Sequence, residues 1–290
     1  MTAPAPFHPH RYRSACGRLE LYARVYEGEG PALLLMHGLT RNSADFEPLA
    51  AHLAGRYRLV VPDQRGRGIS AYDPDPDNYR PDVYAADMFA LLDDLGIASA
   101  GLIGTSMGGL MAMIMAATQP ARVPAMVLND VGPRIEAAGL ARIQGYVGPS
   151  GDAADWAEAA ARCAAINGAA FPDFAEADWL AFARRTCAAT PEGRLRLAYD
   201  PAIAASVKGD SPATVPPDLW PLWDMLAALP VLVIRGALSD LLSAETVAEM
   251  GDRHAGPFAA VSVPKRGHAP MLDEPAALAA ITRFLEEHLG

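Results

Sequence analysis

The sequence of 290 residues is poor in cysteine and contains no long apolar run. Its three cysteines, Cys16, Cys163 and Cys187, are far apart and form no CxxC pair, which argues against a disulfide framework and a zinc site. No apolar run reaches the roughly 20 residues of a membrane span, and the start, MTAPAPFHPHRYR, lacks the apolar segment of a signal peptide. We therefore expect a cytoplasmic protein with reduced thiols and no membrane association.

Positive charge is also scarce, since 34 acidic and 24 basic residues give a formal net charge of -10. No segment concentrates lysine and arginine, so nucleic acid would be repelled. His8 and His10 lie in the Pro-rich start, and we interpret them as part of a solvated tail and not as metal ligands. We predict no metal, no cofactor and no nucleic-acid partner, and leave monomer and homodimer open.

Hydrophobic residues make up 51% of the chain, enough for a large core. A leading hairpin turns at Gly17, and strand-like and helix-like segments then alternate, which predicts an α/β fold with a parallel sheet covered by helices on both faces. The predicted strands are 32–38, 57–63, 99–106, 123–130, 230–236 and 258–263, and the predicted helices are 43–55, 81–96, 107–119, 243–254 and 275–289.

The residue composition and pattern change between the strand ending at Asp130 and the strand beginning at Pro230. Residues 134–223 form Ala-rich helical stretches with Pro and Gly breaks and no strand-like run. We therefore predict a core domain built from 1–133 and 224–290, with an all-helical cap inserted at 134–223.

One serine lies in a setting that favours a nucleophile. Gly104-Thr105-Ser106-Met107-Gly108 matches the G-x-S-x-G pattern, with a predicted strand before it and a predicted helix after it. The sharp turn of that pattern strains the backbone at the serine, and the glycines remove Cβ atoms that would collide. We predict that Ser106 is a nucleophile.

A serine nucleophile needs a base that takes its proton and an acid that orients the base. His268 follows the last predicted strand, at the sheet edge where catalytic groups gather, and is the predicted base. Asp240 follows strand 230–236, and the chain order Ser106, Asp240, His268 favours it as the acid. Asp130, which ends a strand beside the serine, is the competing candidate.

Acyl transfer also needs two hydrogen-bond donors for the developing oxyanion. We predict the N–H of Met107, directly after the nucleophile, and the N–H of Leu39, in the loop after strand 32–38. His37 is predicted to support that loop. The segment DQRGRGIS at 63–70 lacks the pattern of a phosphate loop and is predicted to be held by Asp and Arg hydrogen bonds.

Together these segments resemble the α/β-hydrolase superfamily, over almost the whole chain. The motifs that carry the resemblance are His37-Gly38, DxRGxGxS at 63–70, GxSMGG at 104–109, Ser239-Asp240 and Gly267-His268. The resemblance implies an α/β-hydrolase fold with an eight-stranded, mostly parallel sheet, a helical cap after strand 6, and no cofactor. The subgroup it resembles comprises capped serine esterases, enol-lactonases and carbon–carbon hydrolases.

Two features narrow the chemistry. Ser106 stands where haloalkane dehalogenases and epoxide hydrolases carry an aspartate, and the loop LTRNSADF lacks the Gly-Pro-Gly pattern usual in carbon–carbon hydrolases. Arg41 and Asn42 in that loop are candidates for contact with a substrate carboxylate. An equally good interpretation of Arg41 is that its side chain is solvated at the surface. Trp220 and Trp223 are candidates for lining the substrate site.

We therefore predict a serine hydrolase that cleaves a small carboxylic ester or lactone through an acyl-enzyme. Carbon–carbon cleavage of the β-diketone type and acyl transfer remain open for the same site. A small-molecule receptor without catalysis is a further alternative. The substrate stays open because cap shape decides it.

Overall fold

A computed structural model describes residues 6–208 and 218–290. The extreme start of the chain and residues 209–217 of the predicted cap lie outside the described residues. The strands are β1 (His8–Arg13), β2 (Glu20–Tyr26), β3 (Gly28–Met36), β4 (Gly55–Asp63), β5 (Gly101–Thr105), β6 (Met126–Asn129), β7 (Cys187–Ala189), β8 (Leu195–Leu197), β9 (Val231–Gly236) and β10 (Phe258–Val263).

Eight of these strands form one sheet in the order β1-β2-β4-β3-β5-β6-β9-β10. Strand β2 is antiparallel to both of its neighbours, and every other adjacent pair is parallel. The predicted hairpin is thus confirmed as β1 and β2, and the predicted α/β-hydrolase fold with a mostly parallel sheet is confirmed as well. His8 and His10 lie in β1 and not in a tail, which corrects our interpretation of the Pro-rich start.

Helices connect and cover these strands. They are α1 (Glu47–Leu53), α2 (Pro81–Asp94), α3 (Met107–Thr118), α4 (Ala137–Tyr146), α5 (Trp156–Asn167), α6 (Glu176–Thr186), α7 (Ala205–Lys208), α8 (Trp220–Asp224), α9 (Ala244–Arg253) and α10 (Pro275–Leu289). Across the two described stretches of chain, we find no helix with the length and apolar character required to cross a bilayer.

The unbroken apolar run of β3 follows from burial on both faces of the sheet. Leu34 and Met36 face the cluster that contains helices α2 and α3, whereas Leu33 and Leu35 face the cluster that contains α1 and α10. All four side chains are fully buried, and each such burial contributes on the order of 2 kcal/mol to stability. A central parallel strand therefore shows no apolar–polar alternation.

The segment between β6 and β9 is mostly helical, but the prediction that it is all helical is wrong. Strands β7 and β8 pair antiparallel, with Cys187 opposite Leu197. Strands of three residues are too short to show a period of two in the sequence. This segment has its own hydrophobic cluster around Phe171, Trp179 and Phe182.

Candidate active site

Ser106 lies at the sharp turn between β5 and α3, with φ 53° and ψ -115°. A positive φ is uncommon for a residue with a Cβ and marks a strained turn. Added Cβ atoms at Gly104 and Gly108 would collide with main-chain atoms of Gly108 and Met36, respectively. The tight turn therefore requires glycine on both sides of the serine, as its sequence pattern indicates.

Three side chains form a continuous line of hydrogen bonds at this turn. The Oγ atom of Ser106 lies 2.8 Å from Nε2 of His268, and Nδ1 of His268 lies 2.8 Å from Oδ2 of Asp130. With an ionised Asp130, the imidazole donates from Nδ1 and accepts the serine proton at Nε2. The fold thus brings together Ser106 and His268, which are 162 positions apart in the sequence.

The carboxyl partner of His268 is Asp130, and not the predicted Asp240. Asp130 is fully buried at the end of β6. Its Oδ1 accepts the N–H of Gly236 at 2.7 Å, and its Oδ2 also accepts the hydroxyl of Ser239 at 2.6 Å. Three hydrogen bonds therefore hold one buried carboxylate in place against the imidazole.

Asp240 instead forms a two-pronged ion pair with Arg142 of α4, at 2.6 and 2.8 Å. The hydrogen bonds from Arg142 hold the pKa of the Asp240 carboxyl below its usual value. Its main-chain oxygen also accepts the N–H of Gly139 at 2.9 Å. The prediction was wrong because chain order cannot show that an arginine from the inserted segment occupies this carboxylate.

Leu39 and Met107 lie beside Ser106 in the wall of a cavity. A Cβ on Gly38 would lie 3.7 Å from Cβ of Ser106, so the loop that carries Leu39 runs close to the serine. Within residues 6–208 and 218–290, neither the Leu39 nor the Met107 amide donates to a protein acceptor. Both predicted donors are therefore available to a bound oxygen.

His37 is fully buried behind this loop and uses both ring nitrogens. Nδ1 lies 2.8 Å from the main-chain oxygen of Gly38, and Nε2 accepts the N–H of Gln64 at 3.2 Å. Burial, reinforced by the charges of Arg67 and Arg41, lowers the pKa of His37 to about 3. His37 is neutral in the folded protein and braces the loop, which matches the predicted supporting position.

Stability is expected to fall as the pH drops below 6.5, because unfolded His37 binds a proton there and folded His37 binds none until about pH 3. Between pH 7 and pH 5 this histidine alone is expected to remove about 2 kcal/mol of unfolding free energy. Urea unfolding at both pH values measures the change. The control His37→Gln does not titrate and should lose about 2 kcal/mol less over the same interval; equal losses in both proteins would contradict the assignment.

The loop at 63–70 is held by buried charges, as its composition indicates. Arg65 contacts Asp87 through two nitrogens at 2.8 Å and Asp73 at 2.6 Å. Asp63 accepts the main-chain N–H groups of Ser43 and Ile69. This segment also contacts the loop that carries Leu39, through Gln64 and Arg67, and fixes that loop in place.

A cavity of about 370 Å³ opens beside Ser106. Apolar side chains from the sheet side and from the inserted segment supply most of its described wall: Leu39, Met107, Leu110, Val131, Ile135, Leu140, Ile143, Val207 and Leu241. Polar groups of its lining include Tyr79, Tyr84, Arg80 and Gln144. Most of these residues could not be predicted from the sequence, since no pattern links them before the chain folds.

The four residues predicted to contact substrate are not part of this cavity lining, and their contacts correct the prediction. Arg41 pairs with Asp45 and lies 3.9 Å above the ring of Phe182. Asn42 caps the short 3₁₀ helix Ser43–Phe46 and donates through its side-chain amide to the main-chain oxygen of Arg185 at 2.9 Å. Both residues therefore attach the loop after β3 to helix α6.

The two tryptophans pack in the helical layer of the core. Trp223 is fully buried and donates through Nε1 to the main-chain oxygen of Met250 at 3.3 Å. Trp220 is covered by the guanidinium of Arg253, 4.3 Å from its ring centre. Their burial stabilises the return of the chain to the sheet, and neither belongs to the cavity lining.

Among the side chains that the structure describes, no group of three or more His, Cys, Asp and Glu residues is arranged to hold a metal ion.

Comparison with known proteins shows the family to which the chain belongs. The family described as the alpha/beta hydrolase fold matches residues 31–253. A 3-hydroxybutyrate-oligomer hydrolase from Cupriavidus necator is 36% identical over 87% of each chain, and a 2-(acetamidomethylene)succinate hydrolase from Mesorhizobium japonicum is 32% identical over 93% of each. A crystal structure of an alpha/beta hydrolase from Novosphingobium aromaticivorans has a TM-score of 0.90 at 44% identity, covering 98% of this chain and 99% of that one.

The fold and the matched relatives place the chain among the hydrolases. The chain belongs to the α/β-hydrolase family.

Proposed function

We propose that this protein is a carboxylic ester hydrolase that uses Ser106, His268 and Asp130. The observation that carries the proposal is the line of hydrogen bonds from Ser106 Oγ through His268 to Asp130, located at the wall of an apolar cavity. The predicted ester or lactone chemistry is retained, with Asp130 in the position first assigned to Asp240.

The geometry supports ester hydrolysis in two stages, formation of an acyl-enzyme and its hydrolysis. His268 takes the proton of Ser106 as Oγ attacks the ester carbonyl, and the oxyanion accepts the N–H groups of Leu39 and Met107. Asp130 stabilises the imidazolium, which then gives its proton to the leaving alcohol. Water, deprotonated by the same imidazole, then attacks the acyl carbon; the bond to Oγ breaks, the imidazolium returns the proton to Oγ, and the acid is released.

The cavity favours a small substrate with an apolar part. Its volume of about 370 Å³ lies in the range of small-ligand sites. We propose that the segment 134–223 is the cap, because its helix α4 supplies Leu140, Ile143 and Gln144 to the wall of the cavity beside Ser106. The name of the Cupriavidus necator relative adds oligomers of 3-hydroxybutyrate to the esters worth testing.

The test is a series of p-nitrophenyl esters with lengthening acyl chains. The value of kcat/KM is expected to rise about fourfold for each added methylene, from acetate until the cavity is full, because each buried methylene contributes about 0.8 kcal/mol. Release of p-nitrophenol gives the rate. A protein inert toward the whole series, toward lactones and toward hydroxybutyrate oligomers would contradict the proposal.

The matched control is Leu140→Trp, which fills part of the cavity from α4. Hydrolysis of the hexanoate is expected to fall by about tenfold or more, whereas hydrolysis of the acetate changes little. Product analysis with β-diketones, and with a competing alcohol, separates ester hydrolysis from carbon–carbon cleavage and from acyl transfer. A non-catalytic receptor would bind these ligands without turnover.

A further inference from the structure

Arg67 is a fully buried arginine that contacts both residues of the proposed oxyanion hole. Its Nε donates to the main-chain oxygen of Leu39 at 2.9 Å, and its Nη2 lies 3.5 Å from the sulfur of Met107. Its Nη1 donates to the main-chain oxygen of Arg65 at 2.8 Å. The guanidinium also lies 4.7 Å from the ring centre of Tyr84, which lines the cavity.

The charge balance of Arg67 differs from that of Arg65, its equally buried neighbour. Arg65 is neutralised by Asp73 and Asp87. Arg67 forms no ion pair with any side chain in the described parts of the chain, and its donors are directed to carbonyl oxygens and a thioether. Burying a cation without a counter-ion costs folding free energy. Stability therefore does not explain why an arginine occupies this position.

We propose that Arg67 is a positioning residue of the oxyanion hole and that its positive charge stabilises the oxyanion formed on Ser106. This inference rests on the proposed function.

Hydrogen bonds restrain both peptide groups that flank the Cα atom of Leu39. The oxygen of Gly38 accepts Nδ1–H of His37 at 2.8 Å and the N–H of Arg41 at 3.2 Å, which orients the peptide that carries the Leu39 N–H. Arg67 holds the oxygen of the following peptide at 2.9 Å. With both peptide planes restrained, the Leu39 donor is pre-oriented and needs no reorganisation when the oxyanion forms.

The positive charge of Arg67 supplies a second effect. Arg67 is shielded from water behind Leu39, Met107 and Tyr84, so its field is screened less than that of a surface arginine. The attacked carbonyl oxygen becomes negative only in the transition state, so a nearby uncompensated cation stabilises that state more than the ground state. Arg67 is therefore expected to act on kcat more than on KM.

The experiment compares Arg67→Met and Arg67→Lys with the matched control Arg65→Lys. Rates on p-nitrophenyl butyrate are normalised to the active sites titrated by a phosphonate ester. We expect Arg67→Met to lower kcat by about 10- to 100-fold with KM within about threefold, since full loss of an oxyanion donor costs about 100- to 1,000-fold. Inhibition by phenylboronic acid, which forms an anionic tetrahedral adduct with serine, should weaken by the same factor.

Arg67→Lys keeps the charge but cannot bridge the same carbonyls, and its kcat should lie between wild type and Arg67→Met. Arg65→Lys should melt earlier with kcat per active site within about twofold. Unchanged kcat in both Arg67 variants, a change confined to KM, or an equal loss in Arg65→Lys would overturn the role of Arg67 alone. A wild type that neither hydrolyses the ester nor reacts with the phosphonate would overturn the proposed function and this inference together.

Discussion

Ser106→Ala is expected to lower kcat on any hydrolysed ester by about 10⁵- to 10⁶-fold, because loss of a catalytic serine removes the acyl-enzyme route itself. The fold should persist, since the change removes one oxygen from a half-buried side chain. Initial rates on p-nitrophenyl butyrate, together with the melting temperature, measure both properties. Residual rates near those of the wild type would show that Ser106 is not the nucleophile.

Covalent labelling gives the same assignment without a substrate. A fluorophosphonate is expected to modify Ser106 in the wild type, because Nε2 of His268 lies 2.8 Å from Oγ of Ser106. Mass spectrometry of the peptide that contains Ser106 detects the modification. The matched control is Ser206→Ala. Ser206 also lines the cavity, but its hydroxyl donates to the main-chain oxygen of Ile203. Labelling should survive Ser206→Ala and disappear in Ser106→Ala.

Asp130→Asn is expected to lower kcat by about 10⁴-fold, because an amide at this position favours the wrong imidazole tautomer and leaves the imidazolium uncompensated. The comparison variant is Asp240→Asn, which separates the two acids that the sequence offered. It weakens the pair with Arg142, a partly exposed contact worth at most about 1 kcal/mol. Its kcat is expected to stay within a few-fold of wild type.

Steady-state rates and thermal unfolding of both variants decide between the two carboxylates. A large loss of activity in Asp240→Asn together with an active Asp130→Asn would reverse the assignment. If both variants lost activity equally, the side-chain pair of Asp240 with Arg142, which anchors α4, would also support the catalytic geometry.

Much of the fold could be predicted because local patterns carry the information. The continuous apolar run of β3 indicates burial on both faces, and the structure places its side chains alternately in two cores. Short elements could not be predicted, because they carry too little local pattern. The pair β7 and β8 has three residues per strand, and its existence depends on the helices packed around it.

The candidate site divides along the same line. Ser106 and His268 are recognisable because each lies in a local sequence context that places it at the same sheet edge, the serine in its glycine-flanked turn and the histidine after the last strand. The acid is not recognisable in this way, since Asp130 and Asp240 both follow strands of that edge. The choice depends on Ser239 and Gly236 holding Asp130 and on Arg142 occupying Asp240.

The sequence by itself therefore determined the layered sheet and the glycine-flanked turn at Ser106, and it indicated that His268 and the loop of Leu39 lie at the same sheet edge. Short-range periodicity and the steric demands of glycine are carried by adjacent residues. Only the tertiary structure decided which aspartate meets the imidazole, that Trp220 and Trp223 pack in the core, and that Arg67 lies behind Leu39 and Met107. These contacts join distant segments, and their partners are selected by packing and charge pairing, which no local pattern records.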